Sequence, residues 1–401
     1  MRRKTQNEPR MAANVTLFSQ IIGKLERNVF KKIVKEKETD KYQKGFNSWT
    51  HLVSMVFCHM AKAMSVRDVS NGLRSATGNL NHMGIQAAPS KSSISYQNAR
   101  RDHTLFRDYY LKLLACLGQQ AGFKRVKFRI KSRILLLDST TITLCLSLFD
   151  WAKYKTEKGA VKIHTLLDFD SALPAYAYVT NGKVADNKAA YQVPVSKGSV
   201  VVADRYYGDF QLLDYWDSNG VFFVVRHKEN LVFETVRENN LPDDRRQHVL
   251  KDEIVTVKNP KYNGKRLRRV AVWNDEKGFV VELLTNNFTW TANTIGELYK
   301  SRWQVEIFFR EIKQLLRIKT FIGTSENAVM IQIWTAMITI LLLKYLKQIA
   351  KHAWNLSNLV AFLRLNLFVK TDLQYWLDKP FEEPPETETK TTQGVLPLKF
   401  E

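Results

Sequence analysis

The chain has 401 residues, enough for two or three domains, and its hydrophobic share of 45% is ordinary for a globular protein. Its charge is not ordinary: 61 Lys and Arg against 39 Asp and Glu leave +22 at neutral pH. Self-repulsion of that size favours a polyanionic partner, nucleic acid first. Basic residues spread over the whole length argue against a membrane-surface helix.

Cys58, Cys116 and Cys145 are scattered, odd in number and without zinc spacing. They are expected to be small buried hydrophobes of a reduced cytoplasmic protein. The opening Met-Arg-Arg-Lys-Thr-Gln lacks the apolar stretch of a signal peptide. The longest apolar run, Ala328–Leu343, is broken by Gln332, Thr335 and Thr339. It reads as a buried core helix, with no membrane partner.

In chain order, Val15–Val34, Ser48–Ala63 and Leu105–Leu117 carry helical apolar spacing. Ser65 is a candidate N-cap. A turn-rich stretch follows from Ala76 to Pro89, and Ser90–Arg101 opens a helix rich in Ser, Asn, Gln and Arg. This order resembles a helix-turn-helix reader of DNA; a plain polar-faced helix in a bundle is the alternative.

From Val126 the pattern changes to strands. Arg133–Leu137 is a short apolar run ending at Asp138, as a strand buried on both faces would be. Ile163–Phe169, Ala175–Val179, Ser199–Ala203 and Val221–Arg226 complete a mixed five-stranded α/β sheet, with helices at Asp186–Val193 and Asp209–Ser218. Residues 227–290 are dense in charge, and the alternating runs Arg269–Trp273 and Gly278–Leu284 predict an antiparallel β insertion. Helices resume at Thr294 and continue to about Leu367, before a polar, disordered tail. The expected organisation is a helical N-terminal domain (1–125), a core in two parts (126–226 and 291–370), a β-rich insertion (227–290) and a tail (371–401).

Two strand ends carry an aspartate, Asp138 and Asp204, where ligands gather in open sheets. An acid there must be solvated, paired or bound to a metal. The segment Leu298–Lys313 adds a third carboxylate. On a helical wheel Tyr299, Arg302, Glu306 and Lys313 fall at roughly 0°, 300°, 340° and 320°. Leu298, Val305, Phe309, Ile312 and Leu316 form the neighbouring apolar stripe. Three carboxylates at one edge can hold two divalent ions about 3.5–4 Å apart, with Arg302 and Lys313 gripping phosphates. The bland alternatives are a surface helix with i,i+4 ion pairs, Asp138 capping a turn and Asp204 paired with Arg205. Asp168, Asp170 and Asp186 compete as acids but read as structural, the first two at a turn and Asp186 as a helix cap. His164 reads as a packed, satisfied histidine. There is no Walker loop, dinucleotide fingerprint or nucleophile elbow.

These residues carry a resemblance. Tyr-x2-Arg-x3-Glu-x6-Lys is the signature of bacterial insertion-sequence-4 transposases, and Tyr299, Arg302, Glu306 and Lys313 match its spacing. Leu137-Asp-Ser-Thr-Thr-Ile142, Ala203-Asp-Arg-Tyr-Tyr-Gly-Asp-Phe210 and Lys158-Gly-Ala-Val-Lys-Ile-His164 also resemble that family, over roughly residues 130–345. The resemblance implies a ribonuclease-H-like core with a DDE triad, Asp138, Asp204 and Glu306, binding two Mg²⁺ or Mn²⁺ ions. Tyr299, Arg302 and Lys313 would contact DNA. It implies cut-and-paste transposition on double-stranded DNA (terminal inverted repeats and target) by a homodimer in the bacterial cytoplasm, at the nucleoid. Some relatives stack a flipped base on a tryptophan of the insertion. The matching position here is Val281, with Trp273 and Trp290 as substitutes. The rival readings are a hydrolysis-only nuclease of the same core and a DNA-binding regulator that has lost catalysis.

Overall fold

A computed structural model describes residues 14–382 apart from 44, 77, 121–129, 145–148, 150, 152, 156–157, 228–231, 242–247, 258, 263–264, 276–277 and 316–320. Up to residue 120 its named elements are helical: α1 (Leu17–Ile22), α2 (Arg27–Glu36), α3 (Ser48–Met60), α4 (Val66–Ser75), α5 (Lys91–Arg100) and α6 (Thr104–Gln120), with a 3-10 turn at Asn81–Met83. The single helix expected over Val15–Val34 is two. The chain turns after Gly23, which drops Leu25 into the core beside Leu17, Ile21 and Phe30. Thr16, Asn47, Ser65 and Ser90 each cap a helix by accepting the N–H three residues on. At Ser65 the bond is returned by Asp68, a full capping box.

Helices α4 and α5 touch, as a helix-turn-helix pair would. Two of the amides expected on a reading face turn inward, however. Gln97 donates to Gln43 Oε1 (2.7 Å), and Asn98 Oδ1 meets His51 Nε2 (2.7 Å). The face left exposed carries Lys91, Ser95, Tyr96 and Arg100.

The strands are β1 (Ile134–Leu144), β2 (Lys153–Lys155), β3 (Lys158–Asp168), β4 (Leu173–Asn181), β5 (Val200–Ala203), β6 (Phe222–Arg226), β7 (Phe233–Glu238), β8 (Val249–Val257), β9 (Arg266–Asn274) and β10 (Phe279–Thr285). All ten form one mixed sheet, ordered β2-β3-β1-β5-β6-β10-β9-β8-β7, with β4 also on β3. β5 runs parallel to β1, and β6 to β5, while β3 is antiparallel to both β1 and β4. The strands of 227–290 join through β10 on β6, so they extend the core sheet. Their pairing is antiparallel, as expected for β9 and β10. The charge-dense β7 and β8 are strands that the alternation had not revealed. Asp252 of β8 is buried and takes both Nε and Nη2 of Arg268 on β9, at 2.8 and 2.7 Å.

The sheet faces divide the core. Leu135, Leu137 and Val201 pack with α8 (Phe210–Ser218), while Leu136, Ile142 and Leu144 join a second cluster that runs through the N-terminal helices. The centre of that cluster is α11 (Glu326–Ile349), long and apolar enough to cross a membrane by length and composition, yet with 83% of its most apolar window buried in the protein. Its interrupting polar residues are satisfied there. Thr335 and Thr339 donate to carbonyls one turn back, and Gln332 accepts from Ile322 N–H.

Helices α12 (Leu356–Asn366) and α13 (Leu373–Asp378) close the described chain. The expected tail therefore begins later than residue 371, because Leu373 and Leu377 are buried and Asp372 caps α13. Residues 383–401 lie outside the described residues. Cys58 is buried, and burial pushes its thiol up to about 12. Cys116 is only half-buried, against expectation, and Cys145 lies outside the described residues.

Candidate active site

Three parallel strands run in register. Leu137 of β1 pairs with Ala203 of β5, and Ala203 with Val225 of β6, so Asp138, Asp204 and Arg226 occupy the next row. β1 does not end at Asp138, as the apolar run had suggested; it continues to Leu144 against β3. It is β5 that leaves. Asp204 caps the 3-10 turn Arg205–Tyr207, accepting Tyr206 N–H at 2.8 Å. Asp138 thus sits where β1 has lost its parallel neighbour.

Helices α9 (Ala292–Ser301) and α10 (Trp303–Leu315) cross this row. They meet at Arg302, where bonds from Arg302 N–H to Tyr299 O and from Val305 N–H to Arg302 O tighten the turn. The expected single helix is therefore two. The apolar stripe is as expected: Leu298, Val305, Phe309 and Ile312 are buried. Leu316 lies outside the described residues.

At the junction Arg302 spans two acids. Its Nη1 donates to Asp138 Oδ2 at 3.0 Å and its Nη2 to Glu306 Oε1 at 2.6 Å. Burial holds the Asp138 carboxyl up at about 7. Arg302 and the Ser139 N–H oppose this, and the charges of Asp204 and Glu306 add to it. Burial likewise raises Asp204, with Asp186 contributing. Tyr299 is raised by burial too, within reach of Arg302, Arg226 and Asp204. One cluster thus gathers Asp138, Asp204, Glu306, Tyr299 and Arg302. Lys313 lies outside it, exposed two turns further along α10, about 10 Å from Glu306 along the axis.

Sequence reasoning missed one charged neighbour, Arg226, and misread another, Asp186, as a helix cap. Arg226 ends the third parallel strand, a position equivalent to those of Asp138 and Asp204 and therefore findable. Asp186 does not cap α7 (Asp186–Ala190); it accepts from Ser139 Oγ and Lys162 Nζ. Asp168 is structural as expected, held by Arg133 and Ser171. His164 is packed as expected but only half satisfied: Nε2 meets Thr180 Oγ1 at 2.9 Å, while the buried Nδ1 has no hydrogen-bond partner among the described residues. Val281 is buried opposite Val272, Trp273 is exposed on β9, and Trp290 packs edge-on to Phe222.

An all-carboxylate donor set suits a hard divalent cation, and burial, which raises Asp138 and Asp204, makes their charged forms costly without a counter-charge. As they stand, no three Asp, Glu, His or Cys side chains among the described residues enclose a metal position. Arg302 occupies the link between Asp138 and Glu306.

Residues 129–342 match the family model described as the transposase DDE domain, and residues 13–86 one described as a domain of unknown function (DUF4372). The chain is 31% identical over 259 residues to the probable transposase for insertion sequence element IS5377 of Geobacillus stearothermophilus, covering 64% of this chain and 68% of that one. It is 22% identical over 289 residues to the putative transposase for insertion sequence element IS4SA of Synechocystis sp., covering 71% and 80%. This chain belongs to the insertion-sequence-4 family of DDE transposases. The matched transposase domain contains all six expected site residues, from Asp138 to Lys313, while the described N-terminal helices lie before it. Among solved structures, one titled a piggyBac transposase synaptic complex with hairpin DNA matches loosely, with TM-score 0.39 and 12% identity over 96% of the transposase and 90% of that chain.

Proposed function

We propose that this transposase excises its element and inserts it elsewhere by cut-and-paste chemistry, with Asp138, Asp204 and Glu306 as the acids of a ribonuclease-H-like centre. The observation that carries this reading is the convergence of all three around Arg302 at one sheet edge. The strand order β4-β3-β1-β5-β6, with β3 antiparallel, supports the core assignment.

The acids would hold Mg²⁺ or Mn²⁺, two ions in the full complement. When bound, these supply charge for in-line attack at a phosphodiester, by water in cleavage and by a DNA 3′-hydroxyl in joining. The protein's own groups do the positioning. Arg302 must release Asp138 and Glu306 before both can serve a cation, and a DNA phosphate is the anion it would turn to. Tyr299 and Arg226 border the same row and would fix the phosphate's orientation. Lys313, two turns away on α10, would hold a neighbouring phosphate. No covalent protein–DNA intermediate is needed.

The exposed face of α5, with Lys91, Tyr96 and Arg100, suits an inverted-repeat contact, and target DNA would bind through the general positive charge. A homodimer acting on two ends in the bacterial cytoplasm completes the reading.

The test is cleavage of DNA carrying the element's own ends, in Mg²⁺ or Mn²⁺ against EDTA. Glu306→Gln and Asp138→Ala should each cost at least about a thousandfold in nicking while end binding persists. Joining of pre-cut ends separates a transposase from a nuclease that only hydrolyses. Intact wild type that binds ends but never cuts with metal present would overturn the catalytic assignment.

A further inference from the structure

A second polar cluster lies behind the acids, on the other face of the sheet. Successive strand residues point to opposite faces, so Asp138 looks toward α10 while Ser139 looks away. Ser139 Oγ donates to Asp186 Oδ1 at 2.8 Å. Lys162 Nζ donates to the same oxygen at 3.1 Å and to Val184 O at 3.0 Å. His164, directly across from Ser139 in the β1–β3 register, brings Nδ1 to 3.7 Å from that oxygen and binds Thr180 of β4 through Nε2. The cluster is largely shielded: the His164, Lys162 and Asp186 side chains are 1%, 14% and 20% exposed. A single carboxylate oxygen therefore ties β1, β3 and the 181–186 turn.

The location gives the tie its use. β1 loses β5 at Asp138, so the ladder on that side no longer fixes the backbone of 138–139. Ser139 is the next residue, and its hydroxyl supplies a substitute anchor. Asp186 also lies near enough to Asp204 to raise its carboxyl, and Tyr207 is buried within the fields of Asp138, Asp186 and Asp204. Buried ionic networks of this kind add little net stability, but they can fix a unique arrangement.

We infer that Asp186, acting through Ser139 and balanced by Lys162, is a positioning residue that sets where Asp138 stands relative to Asp204. It touches no DNA and binds no cation; it acts through the backbone at 138–139. This inference rests on the reading of Asp138, Asp204 and Glu306 as the cation-holding acids.

The test compares full-length wild type with Ser139→Ala, Asp186→Asn, the double variant, and Asp168→Asn as a control at the far end of β3. Mn²⁺ binding to the protein–DNA complex is followed by electron paramagnetic resonance, beside cleavage rate, end binding and melting temperature. Ser139→Ala and Asp186→Asn should each weaken Mn²⁺ binding and slow cleavage by about 10–100-fold. End binding should not change, and raised Mn²⁺ should restore part of the rate. Because both act along one tie, the double variant should be no worse than the poorer single. Asp168→Asn should match wild type.

Unchanged Mn²⁺ binding and rate in both single variants would overturn the inference. So would a joint fall of melting temperature, end binding and cleavage that Mn²⁺ does not relieve, since that marks plain structural support. Wild type that binds ends but no Mn²⁺ would overturn the underlying reading of the acids, and the inference with it.

Discussion

Asp138 shows what burying an acid among acids does to a protein. Its carboxyl titrates at about 7 in the fold against an ordinary 3.8. Between those values the unfolded chain has given up the proton and the folded one has kept it, so stability falls as pH rises through this window. Above it the cost is complete, of the order of a few kcal/mol. Asp138→Asn, in metal-free protein, should melt higher than wild type at pH 8, and the gap should close toward pH 4. A wild type that melts higher at pH 8 would show that the Arg302 pair outweighs the burial. The sequence revealed the acid and its cation but not their contact. A wheel sets Arg302 beside Glu306, whereas its other hand, on Asp138, depends on how α10 lies across β1. Asp186 was unreadable for a related reason. Its partners Ser139 and Lys162 come from two other elements, and from the sequence alone it resembled a helix cap.

At the scale of elements, α3 carries two histidines that the fold keeps uncharged. Burial, chiefly, lowers both His51 and His59 from 6.5 to about 3. His51 meets Asn98 Oδ1, and His59 meets Thr335 Oγ1 and the Gln332 backbone. As pH falls through 6.5 toward 3, the unfolded chain takes up protons that folded α3 refuses, and stability is lost over that window. His59→Gln should remove about one proton from the linkage, flattening the slope of unfolding free energy by up to about 1.4 kcal/mol per pH unit. Urea titrations between pH 4 and 6 measure it, and an unchanged slope would mean that His59 accepts a proton in place.

Strands with apolar runs were legible and strands made of paired charge were not. β5 and β6 announce themselves as Val-rich runs. β8 hides because its buried residues include Asp252 and Glu253, each neutralised by an arginine of β9. β1 was cut short for a different cause: its second half alternates, with Ser139 and Thr141 off the apolar side that holds Ile142 and Leu144, so the pattern changes where the burial does.

Across the whole molecule, continuity is the main feature. The insertion strands continue the core sheet through β10 on β6. Replacing residues 228–284 by a short linker would bare the edge of β6, whose Phe223, Val224 and Val225 are buried. Such a variant should self-associate, seen as a shift to oligomers by light scattering, while a monodisperse product would show that the core closes its own edge.

The N-terminal helices are no looser. Helix α11 touches α3, α5 and α6 as well as α10. Asn327 near its start donates to the carbonyls of Asn98 and Arg101 at 2.9 and 2.8 Å. The N-terminal helices and the helix that carries Glu306 are thus bolted to one rod. Under the proposed reading, with α5 on the element's end, that rod would work as a ruler: the distance from recognised bases to the cut phosphate would be built into the protein. One base pair inserted between them displaces the phosphate by about 3.4 Å and about 35° around the duplex. Cutting should then be lost outright, with no shift to the neighbouring bond, and a helical turn of added DNA should not rescue it.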